Sequence, residues 1–206
     1  MNFLKRRQQA HKRLKYDEYQ CRRRENFAYL NTITKENGVV FVGDSIMEIY
    51  PTDEFFNTKI INRGISGDVA YLLINRIKAD VIDIKPKLVI FQIGTNDIGC
   101  CNTIEETTAS VKTILTMLKT ALPNTKIVVL PVYPTVNQLT RSNDTIDKLN
   151  ANYKAITTEL DITFDDFSAK LKTAGGKSEA SFFYDGLHPN IKGFALITEQ
   201  LKKYVD

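Results

Sequence analysis

Val39-Val40-Phe41-Val42-Gly43-Asp44-Ser45, followed by Ile46-Met47-Glu48-Ile49, is the stretch on which the fold turns. Gly38 breaks the chain before it. Val39 to Val42 are apolar without alternation, the mark of a strand buried on both faces. Gly43-Asp44-Ser45 then makes a tight turn, and Ile46 to Ile49 can open a helix. Strand, turn, serine and helix in that order present a hydroxyl at the C-terminal end of a strand. The logic is that of a nucleophile elbow, although the G-x-S-x-G pattern is absent. The plainer reading is that Ser45 only caps the helix.

Working outward, the same grammar repeats. Lys59 to Asn62 reads as a second strand, and Arg63-Gly64-Ile65-Ser66-Gly67-Asp68 as a turn. Asp68 is the expected N-cap of a helix carrying Val69, Leu72, Leu73 and Ile77. Leu88 to Ile93 is a third strand, ending in Gly94-Thr95-Asn96-Asp97. Thr103 and Glu106 form a T-x-x-E capping box ahead of a helix with Ile104, Val111, Ile114, Leu115, Leu118 and Leu122 on one side. Lys126 to Leu130 is a fourth strand, residues 143–160 a helix, Ile162 to Phe164 a short fifth strand, and residues 190–204 a last helix. Strands alternating with helices predict an α/β domain with a parallel sheet of about five strands and helices on both faces. Ligands of such sheets bind outside the carboxyl ends of the strands. Ser45, Gly67, Asn96 and the loop from Asp185 to His188 all fall on that edge.

The chain has 206 residues, enough for one domain with a full core, and is 43% hydrophobic. It has three cysteines, Cys21, Cys100 and Cys101, two of them adjacent. That is neither a disulfide framework nor a zinc pattern, and reduced thiols in a cytoplasmic protein are the simplest reading. The basic N-terminus is not followed by an apolar run, so no signal peptide is expected, and no stretch is long and apolar enough for a membrane span. Charge is unevenly spread. Residues 1–24 hold nine Lys/Arg against Asp17 and Glu18, a net +7, leaving the rest at −3 from 19 basic and 22 acidic residues. Residues 2–30 lack proline and glycine and read as a helix, sparsely apolar at Phe3, Leu4, Leu14 and Tyr19. Such a helix faces water and packs by a thin stripe on the domain or on a second subunit of a homo-oligomer. The alternative is an electrostatic patch for nucleic acid or anionic lipid. No nucleic-acid partner is expected, because the aromatic interleaving of a single-strand-binding surface is missing.

Only two histidines occur, His11 in the basic arm and His188 in Tyr184-Asp185-Gly186-Leu187-His188-Pro189. For acid–base chemistry near neutral pH, His188 is the strong candidate. A serine needs a base to take its proton. His188 can serve Ser45, with Asp185 setting the tautomer. The backbone N–H groups of Ser45 and Gly67 and the Asn96 amide are candidate donors for a developing oxyanion.

With these residues in view, the chain resembles the SGNH (GDSL-type) hydrolase superfamily, in the branch similar to platelet-activating factor acetylhydrolase. Gly43-Asp44-Ser45, Asn62 to Asp68, Gly94 to Asp97 and Asp185 to Pro189 match its four blocks in order. The resemblance implies a flavodoxin-like three-layer α/β/α fold over residues 36–206, with 1–35 as a basic helical extension. It implies a nucleophile at Ser45, oxyanion donors at Gly67 and Asn96, a triad completed by Asp185 and His188, and no metal or organic cofactor. Lipid or carbohydrate esters are the expected substrates, with small acyl groups favoured by the short loops. Two rivals are a metal-dependent hydrolase using Asp44, Asp97, Asp185 and His188, and a non-catalytic scaffold that works through the basic arm.

Overall fold

The computed structural model describes residues 3–100 and 102–206, with side chains from Asp17 onward. The readings made for Phe3, Leu4, His11, Leu14 and Cys101 fall outside those described side chains. Five parallel strands form the sheet: β1 (Val39–Gly43), β2 (Ile60–Gly64), β3 (Leu88–Gln92), β4 (Lys126–Val129) and β5 (Thr163–Phe164), in the order β2-β1-β3-β4-β5. This is the flavodoxin-like order, with its topological switch between β1 and β3. The register aligns Val42 with Phe91 and Gly43 with Gln92, so these two strands end level. The chain leaves β1 and β3 in opposite directions and opens a crevice there, with Ser45 at the start of α2 (Ser45–Glu48) and Asn96 in the short helix α5 (Thr95–Gly99).

Because successive side chains point to opposite faces, each buried strand feeds two cores. Val40, Val42, Val89, Phe91, Ile127 and Val129 pack on one side against α4 (Ala70–Ile74), α6 (Ile104–Ala121) and α7 (Asn143–Glu159). Val39, Phe41, Leu88, Ile90 and Val128 pack on the other against α2 (Ser45–Glu48), α3 (Thr52–Phe55) and α8 (Ile191–Val205). The expected three layers and five strands are therefore observed. The N-terminal helix α1 (Phe3–Asn31) lies along edge strand β2. Phe27 is buried there between the guanidinium groups of Arg23 and Arg63, at 4.7 and 4.8 Å from its ring centre. Asn31 accepts from Arg63 at 2.6 Å and donates to the Ala79 carbonyl at 2.8 Å. An edge strand left bare would expose unpaired backbone groups, and α1 covers this one.

Two capping expectations change. The helix after β1 is capped by Asp44, whose Oδ1 accepts from Ile46 N at 2.9 Å, which leaves the Ser45 hydroxyl uncommitted to the backbone. Asp68 does not cap α4. Its carboxylate pairs with buried Arg76 at 2.7 Å, and the amide of Ala70 donates instead to Asp97, at 3.0 Å to Oδ1. A carboxylate from a distant helix reached the start of α4, which one-dimensional spacing does not reveal. The Thr103–Glu106 capping box forms as expected.

Candidate active site

The loop before α8 is shaped by its own aspartate. Asp185 Oδ1 accepts from Leu187 N at 3.0 Å and His188 N at 2.8 Å, folding the chain into a tight turn. That turn brings the ring of His188 back over the same carboxylate, and Nδ1 lies 2.9 Å from Asp185 Oδ2. A carboxylate accepting at Nδ1 fixes the tautomer that leaves Nε2 free as an acceptor. Nε2 lies 2.9 Å from Ser45 Oγ. Burial raises the Asp185 pKa, but the bonds from His188 N–H, the His188 ring and Leu187 N–H outweigh it and bring it down to about 2. Asp185 is thus a permanent anion behind the imidazole at physiological pH. The loop is latched from outside by the β4–α7 connection. Val136 N donates to Gly186 O at 2.8 Å and Gln138 to Asp185 O at 2.9 Å.

Ser45, Gly67, Asn96, Asp185 and His188, all singled out in the sequence, line one open cleft of about 510 Å³. Gly67 follows β2 in a turn with φ +77°. That left-handed region costs a non-glycine residue roughly 1–2 kcal/mol. Among the described residues its N–H donates to no protein acceptor. The Asn96 amide spends one donor on Asp68 O at 3.1 Å, which ties the loop after β3 to the loop after β2. Its second N–H has no protein partner among the described residues.

The metal reading fares differently. Asp97 is spent on Ala70 N and Asn102, and Asp44 on Ile46 N. Among the described residues no three His, Cys, Asp or Glu side chains converge as ligands. Burial also pushes the Asp44 carboxyl up to about 7 and that of Asp97 up to about 6, where a proton competes with any cation.

Three contributors escaped the sequence reading. Tyr184 is 78% exposed at the cleft mouth, whereas Phe183 beside it is buried. Arg141 donates from Nε to Thr95 O at 2.9 Å and also lines the cleft. It sits in a polar loop with no motif, so no sequence signal marked it. Glu48 bonds Ser66 through its backbone N–H, at 2.6 Å, and its hydroxyl. Its place in the helix after Ser45 was the one available hint.

A parallel three-layer sheet that gathers a serine, a histidine and a carboxylate at its carboxyl edge is the architecture of the SGNH hydrolases. The chain belongs to the GDSL-like lipase/acylhydrolase family, whose model matches residues 41–196, and so is a carboxylic ester hydrolase by family. It is 28% identical over 178 residues to human platelet-activating factor acetylhydrolase IB subunit alpha2, covering 83% of this chain and 77% of that one. A Streptococcus pneumoniae structure described as a platelet activating factor superposes with a TM-score of 0.89 at 27% identity, over 100% of both chains. An acetylxylan esterase from Geobacillus stearothermophilus shares the fold with a TM-score of 0.66, at 21% identity over 83% of this chain and 94% of that one.

Proposed function

We propose that the chain is a serine esterase that works through an acyl-enzyme on Ser45. The observation that carries this reading is the unbroken relay from Ser45 Oγ to His188 Nε2 and from Nδ1 to Asp185, each step 2.9 Å. His188 takes the serine proton as Oγ attacks the ester carbonyl, then gives it to the departing alcohol oxygen. Water attacks the acyl-enzyme by the same route in reverse, with His188 as base. The carbonyl oxygen gains charge in both steps, and the N–H groups of Ser45 and Gly67 with the Asn96 amide are its donors. Asp185 holds the ring and stabilises the imidazolium.

Short acyl groups are the proposed preference. The cleft is open and modest in volume, and the relatives named above include a platelet-activating factor acetylhydrolase subunit and an acetylxylan esterase. Cys21 and Cys100 are both free and exposed, which supports a reducing, cytoplasmic setting. No described helix is long and apolar enough to cross a membrane.

The test is labelling with a fluorophosphonate, followed by hydrolysis of p-nitrophenyl acetate. Wild type should be labelled at Ser45 and should turn over the ester, and Ser45→Ala should do neither. Turnover that survives in Ser45→Ala at an unchanged kcat removes the mechanism.

A further inference from the structure

The turn after β2 has an orientation that something must choose. Asp68 N donates to Ile65 O at 3.1 Å, closing a four-residue turn over Ile65-Ser66-Gly67-Asp68. Gly67, third in the turn, has φ +77°. That makes it a type II turn, and types I and II differ in which way their central peptide faces. The central peptide here joins Ser66 to Gly67. A trans peptide is planar, so its C=O and N–H point in opposite directions. Whatever holds the Ser66 carbonyl therefore also sets the Gly67 N–H. A flipped peptide would aim a carbonyl at the place where an oxyanion needs a donor. Glycine tolerates either sign of φ, so the chain's own preference decides little.

The carbonyl is held by α1. Gln20 is buried, and its Nε2 donates to Ser66 O at 3.2 Å. The rest of the turn is fixed independently. Gly64 lets the backbone of α2 press on β2, since a Cβ there would stand 2.2 Å from Glu48 N. Glu48 thereby reaches Ser66 N at 2.6 Å and is itself held by Arg23 at 3.0 Å and by the Tyr19 hydroxyl. Arg23 also donates to Gly64 O at 3.2 Å. These bonds anchor the flank before the turn, and Asn96 and Arg76 hold Asp68 after it, but none of them grips the Ser66–Gly67 peptide. Gln20 is the side chain that grips it.

We infer that Gln20 is a positioning residue for the oxyanion site, holding the Ser66 carbonyl so that the Gly67 N–H faces the cleft. The inference rests on the esterase reading, and it gives a task in the reaction to a helix that lies before the family match begins at residue 41.

The experiment compares wild type, Ser45→Ala, Gln20→Leu and Gln20→Lys on p-nitrophenyl acetate and on its thiono analogue, in which sulfur replaces the carbonyl oxygen. Leucine fills the space without a donor, and lysine keeps one. Gln20→Leu should lower kcat about 10- to 100-fold with KM within about twofold, since losing one oxyanion donor outright costs about 100- to 1,000-fold. It should also shrink the oxygen-to-sulfur rate ratio, because sulfur accepts hydrogen bonds poorly. Gln20→Lys should recover much of both. The ratio cancels any loss of folded protein, which lowers both rates alike. Ser45-dependent hydrolysis that is unchanged in Gln20→Leu overturns this inference alone. So does a fall that is equal for both substrates. Wild type without Ser45-dependent hydrolysis overturns it together with the esterase reading.

Discussion

His188, Asp185 and Ser45 were legible as residues because chemistry restricts the choice. One histidine stands outside the basic arm, and its loop carries a carboxylate three positions earlier. The spacing has a structural cause, since Asp185 must bond both the turn's backbone and the ring. We expect His188→Ala to abolish esterase activity and Asn96→Ala to lower kcat by about 100-fold, the scale of one lost oxyanion donor. Asp185→Asn should cost less than the roughly 10,000-fold known for a buried triad aspartate, because the Asp185 side chain is 56% exposed and water can take over part of its work. Steady-state kinetics on p-nitrophenyl acetate check all three. A fall in Asp185→Asn as deep as in His188→Ala would show that the exposure argument is wrong. Tyr184 and Arg141 were not legible at this scale. Whether an aromatic faces the core or the cleft depends on which loops surround it.

Elements were read well where the signal is local. The strands β1 and β3 and the box at Thr103 follow from apolar runs and from caps a few residues apart, whereas β2 runs to Gly64, two residues past the Asn62 at which its apolar run ends. The start of α4 was misread because its cap comes from Asp97, 27 positions away in sequence. That bond links the helix after β3 to the helix after β2 and so braces both walls of the cleft. Asp97→Ala should destabilise the fold by about 0.5–2 kcal/mol, the usual loss for a helix cap, whereas Asp68→Ala should cost more. It would remove one of the two buried carboxylates that pair with Arg76, leaving Asp80 at 2.9 Å, and removing a partner from a buried ion pair costs up to about 3–5 kcal/mol. Urea unfolding of the two variants gives the ranking, and the reverse order would show that the Asp68–Arg76 pair contributes less than the Asp97 cap.

For the whole molecule, the informative feature is the acid buried beneath the site. Asp44 is fully buried, and one of its oxygens has no partner. Burial lifts its pKa to about 7, so folded Asp44 keeps a proton that the unfolded chain releases near pH 3.9. Between those values the folded state binds more protons, so stability falls as pH rises from about 4 to 7 and then levels. Asp97, raised to about 6, acts in the same direction. Asp44→Asn should therefore gain Tm relative to wild type as pH goes from 5 to 8, and a constant gap across that range would show that Asp44 does not titrate there. The sequence by itself determined the parallel α/β class, the cores of its strands and five of the residues that line the cleft. Apolar runs, turn residues and scarce chemistry-bearing side chains are local properties of a chain. Only the tertiary structure decided which carboxylate caps, which pairs and which is held near half-protonated at neutral pH, and that α1 reaches the Ser66 carbonyl. Burial and contact between distant segments exist only once the sheet has brought them together.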